Sequence, residues 1–116
     1  MAQKYIVDDI VMYKNKIHTI IDTLRLNNYE LSYVSHSVNQ AELSGVPLTH
    51  EILEKNGWEL DNATWIYKKG YIRVFRLLDD KTYAAYIFGV RVFEFHFIHE
   101  LQHLLFGLGL NSDMEV

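Results

Sequence analysis

The feature that most constrains the fold is a long segment, Thr64 to Phe97, whose aromatic and β-branched residues favour β-strands. Its aromatic residues include Trp65, Tyr67, Tyr71, Phe75, Tyr83, Tyr86, Phe88, Phe93 and Phe95. Gly70 and the polar run at 79–82 interrupt the segment and divide it into strands. Gly89, inside the last run, indicates a bulge or a bend. The pattern predicts an antiparallel meander of roughly three or four strands over residues 58–96.

The beginning of the chain also has strand character. Ile10 to Tyr13 and Ile17 to Ile21 are short β-rich runs separated by a polar turn, which predicts a hairpin. Tyr29 to Val34 predicts a third strand, whereas the polar segment Ser35 to Ser44 predicts a loop with one turn of helix. These elements predict a small, barrel-like β-lobe over residues 1–45.

Two helices are predicted, and each has recognisable ends. The first covers residues 50–56, because Thr49 can cap its N-terminus through the hydroxyl and Gly57 can supply the left-handed residue that ends it. The second covers residues 97–108, has the spacing of an amphipathic helix and ends in a stretch with two glycines.

Together these elements predict an α+β protein. It comprises the N-terminal β-lobe, a short central helix, the antiparallel meander and a C-terminal amphipathic helix packed on one face of the meander. With 116 residues, 49% of them hydrophobic, the chain is long and apolar enough to bury a core. We expect a single domain over residues 1–116, in which 1–45 form the lobe and 46–116 the helix, the meander and the closing helix.

Composition narrows the possible function classes. A net charge of −4 and a pI near 5.8 disfavour a nucleic acid polymer as partner, because phosphate backbones require a basic surface. The chain has no cysteine, so it forms no disulfide and no thiolate metal site. The N-terminus does not resemble a signal peptide, and no segment has the roughly twenty apolar residues that span a membrane. We therefore expect a cytoplasmic protein without a membrane partner.

One motif of the sequence is typical of a specific reaction, the hydrolysis of peptides by a zinc enzyme. His99-Glu100-Leu101-Gln102-His103 is a complete H-E-x-x-H, in which two histidines four residues apart share one helix face and can hold zinc. The glutamate would then act as general base toward the metal-bound water, as in a metalloprotease. A catalytic zinc also requires a third protein ligand, for which the candidates are His96, Asp113 and Glu115.

The same helix has a second explanation that needs no metal. At 100° per residue its leucines and Ile98 fall on one broad face, whereas His99, Glu100 and His103 fall on the opposite face. This arrangement predicts that the leucines are buried and that the three motif residues face solvent. On this interpretation the protein has no catalytic residue and no cofactor, and zinc bound by His99, His103 and His96 is the alternative.

Residues 47–57 read Pro-Leu-Thr-x-Glu-Ile-Leu-x-Lys-Asn-Gly, and residues 98–105 read Ile-His-Glu-Leu-Gln-His-Leu-Leu before Gly109. These segments, with the opening hairpin at 10–20, resemble a group of short uncharacterised proteins of gut Bacteroidetes and their phages and prophages. In that group the position of Glu100 is usually glutamine and that of His103 is often asparagine. The resemblance therefore implies that the closing helix serves the fold, and it implies no activity.

The sequence favours a non-enzymatic binding protein. In the phage and prophage setting that the resemblance implies, small acidic proteins often capture a host protein or sequester a signalling ligand such as a nucleotide, and so antagonise host defence. A ligand pocket is predicted to use aromatic and cationic residues of the meander, namely Tyr71, Arg73, Arg76, Tyr86 and Arg91. The high apolar content also predicts a homo-oligomer. The alternative function is a minimal zinc metalloprotease built on the H-E-x-x-H motif.

Overall fold

The computed structural model describes residues 3–79 and 81–116. Within them lie ten β-strands, in two antiparallel sheets of five strands each, and two α-helices. The strands are β1 Ile10–Tyr13, β2 Lys16–Thr23, β3 Asn28–Leu31, β4 Val38–Asn39, β5 Ser44–Gly45, β6 Glu59–Asp61, β7 Ile66–Lys69, β8 Ile72–Arg76, β9 Tyr83–Ile87 and β10 Val90–Phe95, and the helices are α1 His50–Lys55 and α2 Ile98–Gly107. The predicted α+β class is confirmed.

The chain divides into two compact units. Unit 1 comprises residues 1–46 and 97–113, and unit 2 comprises residues 47–96 and 114–116. Unit 1 contains the sheet with strand order β4-β3-β2-β1-β5, and unit 2 contains the sheet with strand order β10-β9-β8-β7-β6.

In unit 1 the predicted hairpin is confirmed. β1 pairs with β2 from Ile10↔Thr19 to Tyr13↔Lys16, and the turn between them has positive φ at Lys14 and Asn15. β3 confirms the third strand, although it ends three residues before Val34, the predicted end. The segment predicted as a loop also contains the short strands β4 and β5 and a 3-10 turn between them. The core of this sheet is formed by Tyr5, Val11, Tyr13, Ile20, Tyr29, Leu31, Val38 and Leu43.

In unit 2 the predicted meander is confirmed, but it has five strands rather than three or four. It follows α1, whose predicted ends are also correct: the Thr49 hydroxyl accepts a hydrogen bond from the Ile52 N–H, and Gly57 has a φ of +84°. Gly89 belongs to a tight turn between β9 and β10, and a register shift follows within β10, between Arg91 and Phe93. Of the predicted turn at 79–82, Asp80 lies outside the described residues.

The closing helix α2 belongs to unit 1, where it contacts β1. The Ile98 N–H donates to the Val46 carbonyl oxygen at 2.9 Å, which joins the start of α2 to the segment that follows β5. Gly45 lies against the Phe97 ring, and a Cβ at that glycine would come within 2.4 Å of a ring carbon. The predicted packing of this helix on the meander is not confirmed.

Among the described residues, no helix has both the length and the apolar character needed to cross a membrane.

Candidate ligand-binding face

The sequence predicted that the three motif residues of the H-E-x-x-H helix face solvent. In the structure they do not all do so. His99 is only 3% exposed, and the buried residues of α2 are Ile98, His99, Leu101, Gln102 and Leu105. The buried face of the helix is therefore turned by roughly 80° from the predicted leucine face. Leu104 and Leu108 are half-buried, and Phe106 is exposed. The prediction was wrong because it treated polar residues as outward-facing, whereas Gln102 forms hydrogen bonds within unit 1 and the buried His99 ring packs against the Tyr5 and Phe97 rings.

The buried carboxylate of Asp9 is the partner of His103. Asp9 Oδ2 lies 2.6 Å from His103 Nε2 and accepts a further hydrogen bond from the Ile6 N–H at 2.9 Å. This hydrogen bond raises the pKa of His103, whereas burial lowers the pKa of His99. Glu100 Oε1 accepts from the Phe97 N–H at 3.1 Å, at the N-terminus of the helix.

These contacts give the motif residues structural roles in the folded chain. His103 Nε2, the atom that a zinc ion would use, is hydrogen-bonded to a carboxylate, and Glu100 caps its own helix. His96, proposed as third ligand, is an exposed residue of unit 2. In the chain outside positions 1, 2 and 80, no three histidine or acidic side chains are grouped so that they could hold a metal ion. The contacts of α2 therefore give His103 and Glu100 roles in stabilising the fold.

The second sheet carries a different kind of feature, an exposed face of aromatic and cationic side chains. Along β8, Ile72 and Val74 are buried, whereas Arg73 and Phe75 point to the opposite face and are half-buried. The strand register places Tyr86 of β9 opposite Arg73. Tyr71, just before β8, and Phe88, just after β9, lie two residues from Arg73 and Tyr86, and their rings are in contact. We call these five residues, Tyr71, Arg73, Phe75, Tyr86 and Phe88, the aromatic face.

The rings of the aromatic face form two pairs. Tyr71 and Phe88 are stacked with centroids 5.1 Å apart and planes inclined by 8°, and Phe75 and Tyr86 have centroids 4.8 Å apart at 31°. Phe88 is 81% exposed, so one of these ring pairs is open to solvent. Exposed aromatic rings grouped in this way mark a binding surface more often than a solvated one.

Arg73 supplies the positive charge of the aromatic face. Its Nη1 donates to the carbonyl oxygens of Gly70 and Ile72, at 2.8 and 3.1 Å, which fixes the guanidinium. Among the carboxylates that the structure describes, none forms an ion pair with it. By contrast, Lys68 lies 3.5 Å from Asp61, and Arg91 pairs with Glu94. Arg73 is thus positioned to meet an anion.

The aromatic face lines two surface depressions that share Arg73 and Gly89. One, of about 510 Å³, contains the Phe75–Tyr86 pair, and the other, of about 400 Å³, contains the Tyr71–Phe88 pair. Both volumes fall within the range of small-molecule sites. The larger depression is also lined by Asp61, Thr64, Ile66 and Lys68.

The structure brings together most, but not all, of the residues predicted to bind a ligand. Tyr71, Arg73 and Tyr86 share the aromatic face, and Arg91 lies opposite Tyr86 on the neighbouring strand. Arg76 is separate from this group. It lies two residues after the buried Val74, on the other face of the strand, and lines another depression with Tyr67. Within unit 2 the Tyr67 hydroxyl is 2.6 Å from His50 Nδ1, and burial raises the pKa of Tyr67.

Sequence reasoning missed Phe75 and Phe88. Strand alternation could have found both, since Tyr71, Arg73 and Phe75 are two residues apart along one strand, as are Tyr86 and Phe88 along the next. The same count would have excluded Arg76. Phe88 has a φ of +50°, which bulky side chains generally avoid, and shares a positive φ with the exposed Tyr33 and Trp65.

Comparison of the chain with protein-family models, with curated proteins and with solved structures finds no match.

Proposed function

We propose that the protein is a non-enzymatic binding protein whose aromatic face takes a small anionic ligand with a flat ring, such as a nucleotide. The carrying observation is Arg73, which lines both aromatic depressions, is held by two backbone carbonyl oxygens and has no carboxylate partner among the described residues. A nucleobase can stack on the rings while its phosphate meets the guanidinium, and these two contacts reinforce each other.

Two further points support this proposal. Each depression has the volume of a small-molecule site. The resemblance to phage and prophage proteins supports the sequestration of a nucleotide signal in the host cytoplasm as a form of defence antagonism.

Calorimetric titration tests the proposal with AMP, adenosine and inorganic phosphate as probes. AMP should bind more tightly than either part alone, because only AMP makes both the stacking and the ionic contact. Arg73→Gln should weaken AMP by about tenfold or more, since a hydrogen bond to a charged group contributes about 1.5–3 kcal/mol.

Arg25→Gln is the matched control, because Arg25 is an exposed arginine of unit 1. Its AMP affinity should equal that of the wild type. Equal AMP affinity in wild type and Arg73→Gln would refute the proposed site. No heat from AMP in either protein would leave capture of a host protein as the leading function.

A further inference from the structure

We infer that the aromatic face accommodates two nucleobases joined through one phosphate, so that its ligand is a dinucleotide unit rather than a single nucleotide. This inference rests on the proposed function and specifies its ligand class. The starting observation is that the aromatic face contains two ring pairs and one arginine between them.

The order of side chains along β8 carries the argument. Tyr71, Arg73 and Phe75 follow each other at two-residue spacing, so the backbones of Tyr71 and Phe75 are about 13 Å apart and that of Arg73 lies between them. On β9, Phe88 completes the ring pair at Tyr71, and Tyr86 completes the pair at Phe75. The face therefore presents two ring pairs, and Arg73 lies between Tyr71 and Phe75 on β8 and opposite Tyr86 on β9.

The two depressions repeat this order in space. Each contains one ring pair, and the Arg73 side chain lines both. A single nucleotide would occupy one depression and leave the other ring pair open to water. A dinucleotide offers base, phosphate and base in the matching order, and stacks both bases while Arg73 meets the linking phosphate.

The two depressions also differ in their polar lining. The larger one has the Asp61 carboxylate and the Lys68 ammonium at its wall, whereas the smaller one has Arg73 as its only charged lining residue among the described positions. Carboxylates and ammonium groups can hydrogen-bond to base edges. Base preference should therefore be stronger at the larger depression than at the smaller one.

Titration of the intact protein with the dinucleotide ApA and with AMP tests the inference. ApA should bind at least about tenfold more tightly than AMP, because a second stacked base contributes on that scale. Phe88→Asn, which removes one ring of the smaller depression, should reduce the ApA affinity to that of AMP. Tyr33→Asn is the matched control, since Tyr33 is an exposed aromatic residue with positive φ in unit 1.

The outcomes separate this inference from the proposed function. If AMP and ApA bind equally well, the two-base inference is overturned and the nucleotide site stands. If neither binds, both are overturned. The oligonucleotide A8, titrated in parallel, distinguishes the sources of the dinucleotide unit. If A8, after correction for its number of binding registers, binds as tightly as ApA, the ligand is a free dinucleotide. If A8 binds more tightly still, by about tenfold or more, the ligand is a longer single strand.

Discussion

The two units of the protein place their polar side chains in opposite ways. Of the five buried polar residues in the described chain, four, namely Asp9, Gln40, His99 and Gln102, belong to unit 1, and only Thr82 belongs to unit 2. Unit 2 instead places the half-buried Arg73 beside the exposed Phe88 on one face of its sheet. The polar residues of unit 1 therefore help to hold its fold, whereas those of the aromatic face are the ones that we propose to bind a ligand.

The most recognisable motif of the sequence therefore lies outside the binding face that we propose. The H-E-x-x-H residues are in unit 1, where His103 and Gln102 satisfy buried groups near the N-terminus of the chain. Burial of polar side chains is costly unless each finds a partner, and His103 and Gln102 find theirs. Substitutions should accordingly affect stability in unit 1 and binding in unit 2.

The largest stability effect is expected from Gln102→Met, which preserves the size of the side chain and removes its hydrogen bonds. Gln102 Oε1 accepts from the Ile10 N–H at 2.9 Å, and its Nε2 donates to the carbonyl oxygens of Asp8 and Ser112. The substitution removes the acceptor of the Ile10 N–H, and this is costly because Ile10 is buried. Urea denaturation should therefore show that the free energy of unfolding falls by about 2–4 kcal/mol. The exposed Gln3→Met should change stability by less than about 0.5 kcal/mol. A similar loss of stability in both variants would show that the hydrogen bonds of Gln102 do not stabilise unit 1.

A smaller loss is expected from Tyr29→Phe, in the core of unit 1. The Tyr29 hydroxyl donates to Gln40 Oε1 at 2.7 Å and accepts from the Tyr5 N–H at 3.3 Å. Its removal leaves a buried N–H without an acceptor, which should cost about 1–2 kcal/mol in the same denaturation experiment. Tyr33→Phe, at a fully exposed tyrosine, should have no measurable effect. Equal stability of Tyr29→Phe and wild type would show that this network does not hold the lobe.

The two histidines of unit 1 predict a stability maximum near pH 6.5, the ordinary pKa of histidine. The pKa of His103 is raised by its hydrogen bond to Asp9, so the stability it contributes is complete below about pH 6.5 and lost as pH rises through the raised pKa. The pKa of His99 is lowered, chiefly by burial. The unfolded chain therefore takes up a proton more readily, and stability falls as pH drops below about 6.5.

Urea midpoints measured between about pH 5.5 and 8 check this prediction. His103→Asn should remove the fall on the alkaline side, and His99→Phe should remove the fall on the acid side. Midpoints that rise or fall steadily through this range in the wild type would contradict the opposed roles of the two histidines.

The sequence predicted the elements better than it predicted their partners. The α1 helix was located correctly because Thr49 and Gly57 fix its ends through local hydrogen bonds and backbone geometry. The pairing of Asp9 with His103 could not be predicted, since the two residues are 94 positions apart and Asp9 resembles an ordinary turn acid. Arg73 and Tyr86 were selected by residue type, but only strand register shows that they are neighbours.

The smallest stability effect, and the sharpest test of the comparison, is expected from Phe88→Asn in the aromatic face. Asparagine tolerates the positive φ of this turn and commonly precedes glycine in such turns, so backbone strain of about 1–2 kcal/mol should be relieved. Loss of the stacked contact with Tyr71 offsets about 0.5–1.5 kcal/mol of that relief, which leaves a net gain of about 0.5 kcal/mol. Denaturation and ligand titration on the same preparation should therefore show a slightly more stable protein that binds ApA less well. A variant that lost stability while keeping full ApA affinity would place Phe88 among the residues that hold the fold, and the division of roles between the two units would fail at an exposed residue of the aromatic face.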